Sequence, residues 1–359
     1  MLTFQQAKDP DYMAIRARNL TASLKARQIL TLVVEAASSC NLKCTFCDAH
    51  SGRAPKFREH AGVMKEETWE KLVTDLHAYV AARGPLAMVQ FHGNGEPLLN
   101  KKLPQMIARI KREGLATKTR VITNGILLDV KKANELMDAG LDEIHISVDT
   151  LDRDKYRDVK VGDYALRVLD NMRAVIPVIE ERRQAGLYIK YFQAEDDNSY
   201  GITQDDSDSV FNEFAAAARH SDFVHLKQQP LVDVGKGMLD GKDGMAAPCE
   251  IPFYLLYVMH SGKVSGCCSD VFNGLTVGNI VDAPPPEKSH MGGSILEIVD
   301  SIALYEIRKK HLNGRCGDIK LCAGCGNRTA VDVSQLGAET VDELNRAIMP
   351  PQEGLIAAE

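Results

Sequence analysis

The stretch Cys40-Asn41-Leu42-Lys43-Cys44-Thr45-Phe46-Cys47 decides how this chain is read. It sets three cysteines at Cys-x3-Cys-x2-Cys spacing, directly after the apolar run 30–34, which reads as a buried strand. A strand ending in three thiolates can hold three corners of a [4Fe-4S] cube and leaves the fourth iron without a protein ligand. Electron-transfer clusters mostly take four cysteines, so three point to a coordination site kept open for something else. Zinc is the alternative, because thiolates bind it too and His50 could complete a four-ligand set.

The nine cysteines are clustered rather than spread, which favours metal over disulfides. The 359 residues suffice for a large core and two domains, and 45% apolar with 26% charged residues is an ordinary globular composition. A net charge of -6 without a long basic run argues against nucleic acid as a partner. No apolar stretch approaches the ~18 residues of a membrane span. The first residues lack a basic segment followed by an apolar one, so no signal peptide is expected and a cytoplasmic protein is.

Hydrophobic periodicity predicts helices over 65–82, 103–114, 130–139, 164–184 and 208–219. Strands are predicted over 86–91, 119–123, 143–148, 187–192 and 223–226. Pro177 should kink the fourth of those helices. Regular alternation predicts an α/β fold, a parallel sheet with helices outside and right-handed connections. Active residues then belong at the C-terminal ends of the strands. Residues 1–28 read as a polar helical extension and 233–247 as a linker. A hairpin is expected from 253–259 through the turn Ser261-Gly262 to 264 onward, then one helix over 294–312.

Polar motifs fall at the strand ends. Gly93-Asn94-Gly95-Glu96-Pro97 follows the second strand, where glycines admit a ligand close to the backbone and carbonyls with a carboxylate can receive an ammonium. Thr123-Asn124-Gly125 closes the third. Ser147 and Asp149 share a face at the end of the fourth, a hydroxyl and a carboxylate suited to two ribose hydroxyls, with capping before Asp152 as the plainer use. Tyr191, Phe192 and Gln193 end the fifth; Lys227, Gln228 and Gln229 end the sixth and face the expected substrate space. Lys56 and Arg58 could meet an anionic substrate or form a solvated charge cluster.

Taken in order, these motifs resemble the radical S-adenosylmethionine (radical SAM) enzymes. The cysteine set of the C-terminal third, Cys249, Cys267 and the tight pair Cys322-Ala323-Gly324-Cys325, is similar to the twitch form of the SPASM extension of that superfamily. The resemblance implies a partial (β/α)6 barrel over 29–235, a twitch domain of β-hairpin plus helix over 246–330, and a tail over 331–359. It implies that Cys40, Cys44 and Cys47 hold a [4Fe-4S] cluster whose open iron chelates S-adenosylmethionine. Phe46 would pack near the adenine, and Gly93, Asn94, Gly95 and Glu96 would bind the amino group. Asn124 would lie near the cofactor, Ser147 and Asp149 at the ribose, and Gln193 at the adenine or carboxylate. Cys249, Cys267, Cys322 and Cys325 would enclose one auxiliary [4Fe-4S] cluster, with structural zinc as the alternative and Cys316 as a replacement ligand.

The activity implied is hydrogen abstraction by a 5'-deoxyadenosyl radical from a polar small molecule. In twitch enzymes of the 2-deoxy-scyllo-inosamine dehydrogenase type, from aminocyclitol antibiotic biosynthesis, an alcohol is oxidised and the auxiliary cluster accepts an electron. Asp270, on the hairpin, is the candidate base by that analogy. An epimerase would instead return hydrogen from a free thiol, Cys268 or Cys316. A peptide-modifying maturase ranks lower, since 1–28 is short for a peptide-binding domain. A molybdenum-cofactor type of enzyme also ranks lower, for want of a Gly-Gly tail. An iron-sulfur electron carrier is the non-enzymatic alternative. The expected electron donor is a flavodoxin or ferredoxin.

Overall fold

The computed structural model describes residues 24, 27–52, 61–193, 201–230, 249–271, 273–282, 290–323, 325 and 338–350. Lys56, Arg58, the linker 233–247 and nearly all of the extension 1–28 lie outside the described residues, as does the side chain of Gln193. The chain forms two compact units. One comprises Glu35–Val63 and Met88–Leu231, the other Met1–Val34, Met64–Ala87 and Val232–Glu359.

The unit of 35–63 and 88–231 is built on strands β2 (Leu86–Phe91), β3 (Ala116–Thr123), β4 (Glu143–Ser147), β5 (Gly186–Gln193) and β6 (Val224–Pro230), in spatial order β6-β5-β4-β3-β2. β3/β4, β4/β5 and β5/β6 pair in parallel. Helices alternate with these strands: α2 (Leu103–Arg112), α3 (Val130–Asp138), α4 (Arg153–Lys160), α5 (Ala165–Arg182) and α6 (Gln204–His220). α2 buries Leu103, Met106, Ile107 and Ile110, the i, i+3, i+4, i+7 stripe of an amphipathic helix. α5 runs on through Pro177. The expected α/β architecture is present, a parallel sheet of the partial-barrel kind.

α4 was not legible from periodicity. Its sequence, Arg-Asp-Lys-Tyr-Arg-Asp-Val-Lys, carries only Tyr156, Val159 and the stem of Lys160 into the interior. Caps define it instead. The Asp152 carboxylate accepts the Lys155 N–H at 2.7 Å, and Val161 ends the helix at φ 55°.

The other unit contains β1 (Thr31–Val34), β7 (Leu255–Val258), β8 (Lys263–Ser265) and β9 (Thr276–Asn279), in the order β1-β7-β8-β9. β1 and β7 are parallel, while β7/β8 and β8/β9 are antiparallel. The expected hairpin is β7–β8, turning at Gly262 with φ 88°; β9 extends it by a strand that was not foreseen. α1 (Glu66–Arg83) and the short α7 (Ile251–Tyr254) belong here. The single helix expected over 294–312 is two, α8 (Ile295–Val299) and α9 (Ile302–Leu312). The break is chemical: the Ser301 hydroxyl accepts the Leu304 N–H and caps a new helix, while Asp300 pairs with Arg27 and Arg83. α10 (Ala338–Ala347) follows, and Leu344 and Ile348 join a core with Leu24, Phe253 and Leu312. No helix among the described residues is long and apolar enough to cross a membrane.

Because α4 depends on its cap, Asp152→Ala is expected to lower stability by about 1 kcal/mol in urea unfolding.

Candidate active site

The three cysteines of 40–47 are half-buried in a loop held by hydrogen bonds at its own ends. The Cys47 N–H donates to Cys44 O at 3.0 Å, and Ser51 N–H to Cys47 O at 2.9 Å. The loop also leans on the last carbonyls of α4: Thr45 N–H donates to Val159 O at 2.8 Å and Lys43 N–H to Lys160 O at 3.4 Å. These are orphan acceptors at a helix C-terminus, satisfied by the loop. His50 is buried and donates a ring N–H to Ser38 O at 3.0 Å, a bracing role. Among the described residues, no three His, Cys, Asp or Glu side chains converge tightly enough to hold a single metal ion.

Burial pushes Cys40 up to about 12 and Cys44 up to about 11, and raises Cys47 as well. Without metal these thiols hold their protons at neutral pH, and iron must displace them. The donor set fits an iron-sulfur cluster with three protein ligands: all thiol, on one loop, and within electrostatic reach of one another.

Lys160 is the residue that sequence reasoning missed. It is 3% exposed, and its ammonium forms an ion pair with Asp149, itself 2% exposed. The Lys160 Nζ lies 5.3 Å from the centre of the Phe46 ring and within electrostatic reach of Cys44. Burial would lower its pKa, but Asp149 and Cys44 outweigh that and raise it, so it stays charged. Lys160 thus sets a fixed positive charge within electrostatic reach of Cys44 and Cys47. The signal available in sequence was a lysine in the last turn of a capped helix, but that helix was not recognised. Asp149, expected at a ribose, is paired with Lys160 here; Ser147 ends β4 half-buried.

Glu96 joins the two turn motifs. Its carboxylate accepts from the Thr123 hydroxyl at 2.7 Å, the Asn124 N–H at 2.8 Å and the Leu98 N–H at 3.0 Å. Asn124 in turn donates its side-chain N–H to Asn41 at 2.7 Å, reaching the cysteine loop. Gly95 is obligatory: a Cβ there would lie 2.4 Å from Ser39 O and 2.5 Å from Ala37 O. The Asn94 N–H donates to Glu35 at 3.1 Å. The motifs at 40–47, 93–97, 123–125 and 149 therefore meet in one place.

The second cysteine set lies in the other unit. Burial raises the thiols of Cys249, Cys267 and Cys322, the last to about 12, and each is within electrostatic reach of others of the set. His311, also unforeseen, organises it. Its Nδ1 accepts the Cys249 N–H at 2.9 Å, which leaves the proton on Nε2, 3.6 Å from the Cys322 sulfur. Cys316 is wholly buried at the start of a 3-10 turn, and Cys268 packs against a cluster containing Val33 and Ile251.

Asp270 is neither an exposed turn carboxylate nor, in this geometry, open to a substrate. It is 0% exposed and accepts from the Ser265 hydroxyl at 2.8 Å, the Gly274 N–H at 2.8 Å and the Leu275 N–H at 2.9 Å. Its carboxylate shapes the loop between β8 and β9.

Residues 34–182 match the Radical SAM superfamily. That match covers 149 of the 359 residues, and S-adenosylmethionine and a [4Fe-4S] cluster are the cofactors of the matched superfamily. A curated relative, "Probable GTP 3',8-cyclase" of Methanococcus maripaludis, is 33% identical over 161 residues, 45% of this chain and 48% of that protein. "GTP 3',8-cyclase" of Heliobacterium modesticaldum is 36% identical over 138 residues, 38% of this chain and 39% of that protein. The matches thus span half the length of these relatives or less. Among solved structures, BtrN in complex with AdoMet and 2-DOIA aligns with TM-score 0.54 at 20% identity, covering 86% of this chain and 96% of that one. Native anSMEcpe with bound AdoMet aligns with TM-score 0.50 at 18% identity, covering 88% and 96%. At these identities the likeness is one of fold.

Lys160→Met strands a buried carboxylate and is expected to cost about 3–5 kcal/mol in denaturant unfolding, most of which Lys160→Met with Asp149→Leu restores. A second expectation concerns pH. Burial holds His311 down to about 4 against an ordinary 6.5. Between those values the unfolded chain binds the extra proton, so metal-free stability is complete above pH 6.5 and is lost as pH falls toward 4, by up to about 3 kcal/mol. His311→Asn should flatten that slope in urea titrations across the window.

Proposed function

We propose that this chain is a radical SAM oxidoreductase acting on a polar small molecule, with an alcohol of a sugar or cyclitol as the bond oxidised. In this reading Cys40, Cys44 and Cys47 hold the cluster that binds S-adenosylmethionine. Cys249, Cys267, Cys322 and Cys325 hold an auxiliary cluster in a twitch domain. When bound there, the first cluster with S-adenosylmethionine would supply abstraction of a hydrogen atom from the carbinol carbon, the auxiliary cluster would take up the remaining electron, and solvent would take up the hydroxyl proton. The observation that carries the reading is the pair of thiol sets, one of three at the Glu96–Asn124 brace and one of four beside His311.

The residues have separate tasks. Lys160 holds a positive charge beside the first thiols, and Phe46 offers an aromatic face next to it. Glu96 and Gly95 shape the turn that receives the methionine end of the cofactor. Asp270 is not retained as the base, because its lone pairs are used within its own loop. Return of hydrogen by a thiol would fall to Cys268 rather than to the wholly buried Cys316.

The test is anaerobic reduction of the reconstituted protein with S-adenosylmethionine and a pool of sugars, cyclitols and short peptides in deuterated water. Mass spectrometry should find 5'-deoxyadenosine and a product two hydrogens lighter without carbon-bound deuterium. A product of near-equal mass carrying one deuterium would replace dehydrogenation with epimerisation. Absence of 5'-deoxyadenosine would remove the enzyme reading altogether.

A further inference from the structure

The buried side of α9 carries two polar residues, Arg308 and His311, between Leu304 and Leu312. Arg308 donates from Nε to Pro252 O at 2.9 Å and from Nη2 to Phe253 O at 3.4 Å. His311, three positions further on, accepts the Cys249 N–H on Nδ1 at 2.9 Å. The helix is thus tied to the segment 249–253 by two side chains, and the Arg308 contacts do not involve the imidazole. A neutral imidazole that accepts on Nδ1 carries its proton on Nε2. That N–H faces the Cys322 sulfur at 3.6 Å, within hydrogen-bond reach for so large an acceptor.

Two other sulfurs of the set receive backbone donors. The Ser269 amide lies 3.5 Å from the Cys267 sulfur, and the Ile251 amide donates to Cys249. Those amides stay in place whatever side chains surround them. At Cys322 the donor is a side chain, brought in by a helix that ends ten positions earlier. Apolar residues fill the space beside these sulfurs. Leu275, Ile319 and Leu321 pack with Cys267 and Cys322, and Val33, Ile251 and Leu255 cluster with Cys249. In such surroundings water weakens a hydrogen bond little, and a donor favours the state of the sulfur that holds more negative charge. An iron-sulfur cluster gains one negative charge on reduction, and its potential depends on the hydrogen bonds its sulfurs accept.

Resting on the auxiliary-cluster reading above, we propose that His311 is a positioning residue that raises the reduction potential of that cluster by donating its Nε2–H to the Cys322 sulfur. The task fits the electron balance of the proposed oxidation. One hydrogen atom leaves the carbinol carbon, the hydroxyl proton goes to solvent, and one electron remains. That electron is taken more readily when its acceptor is easier to reduce, which favours the ketone over return of hydrogen to carbon. His311 acts through Cys322 and is assigned no contact with substrate. Its bond to the Cys249 amide fixes the ring and so keeps the opposite N–H aimed at the sulfur.

The test uses the full chain with Cys40→Ala, Cys44→Ala and Cys47→Ala, which leaves the second thiol set to be loaded alone. Iron and sulfide would be reconstituted into it anaerobically, and EPR would follow a redox titration with His311 intact or replaced. An asparagine amide reaches where Nδ1 stands and can keep the Cys249 contact without reaching Cys322. A glutamine amide reaches where Nε2 stands and can keep the contact with sulfur. His311→Asn should lower the midpoint potential by about tenfold in the reduction equilibrium, ~59 mV for one electron, while His311→Gln retains most of the original value. Heavy-nitrogen labelling of histidine should add a weak nitrogen coupling to the EPR signal of the reduced cluster with His311 intact, a readout that needs no substitution at 311. An unchanged potential in His311→Asn, an equal fall in both variants, no nitrogen coupling, or the strong coupling of a directly ligated nitrogen would overturn the proposal. A cluster whose potential ignores His311 leaves the auxiliary-cluster reading standing and removes only the role of His311. Failure of the triple variant to form any iron-sulfur cluster removes both.

Discussion

One carboxylate holds the candidate site together. Glu96 is 2% exposed and accepts hydrogen bonds from a hydroxyl and two backbone amides, which offset part of the cost of burying it, although burial still raises its carboxyl. Those donors come from its own turn and from 123–124. Asn124 then passes the constraint to Asn41. Three loops that are far apart in sequence are thereby given one relative position. An exposed carboxylate at the same place would spend its lone pairs on water and leave the loops to find each other by packing alone.

The same economy recurs in the other unit. His311 receives the Cys249 amide on one nitrogen and faces the Cys322 sulfur with the other, so a single imidazole sets the distance between two segments 73 residues apart, as 322 minus 249. Asp270 does comparable work for the loop between β8 and β9. In each case a buried polar side chain makes up for backbone irregularity that regular secondary structure would not tolerate.

Much of the fold was legible because the signals were local. β2 was read over 86–91, and α1 differs from expectation by one residue at each end, since apolar periodicity and a closing glycine suffice for both. The cysteine loop and the two glycine turns could be placed because spacing carries their chemistry. α4 escaped because it has almost no apolar stripe: its identity rests on a cap and on what its C-terminus touches. Lys160 and His311 escaped for a related reason. Each is an ordinary polar residue in sequence and gains its role only when an element from elsewhere closes over it. Asp270 was chosen as a base by analogy, and nothing in its sequence signalled that the amides of Gly274 and Leu275 point at it.

The contact between Thr45 and Val159 spans 114 positions. During synthesis the cysteine segment leaves the ribosome long before the helix end that supports it. Until that helix has been made, the amides of Lys43 and Thr45 have no fixed acceptors and the thiols no settled arrangement. The order of assembly is therefore written into the topology: the loop of 40–47 gains these two backbone acceptors only once α4 has been made.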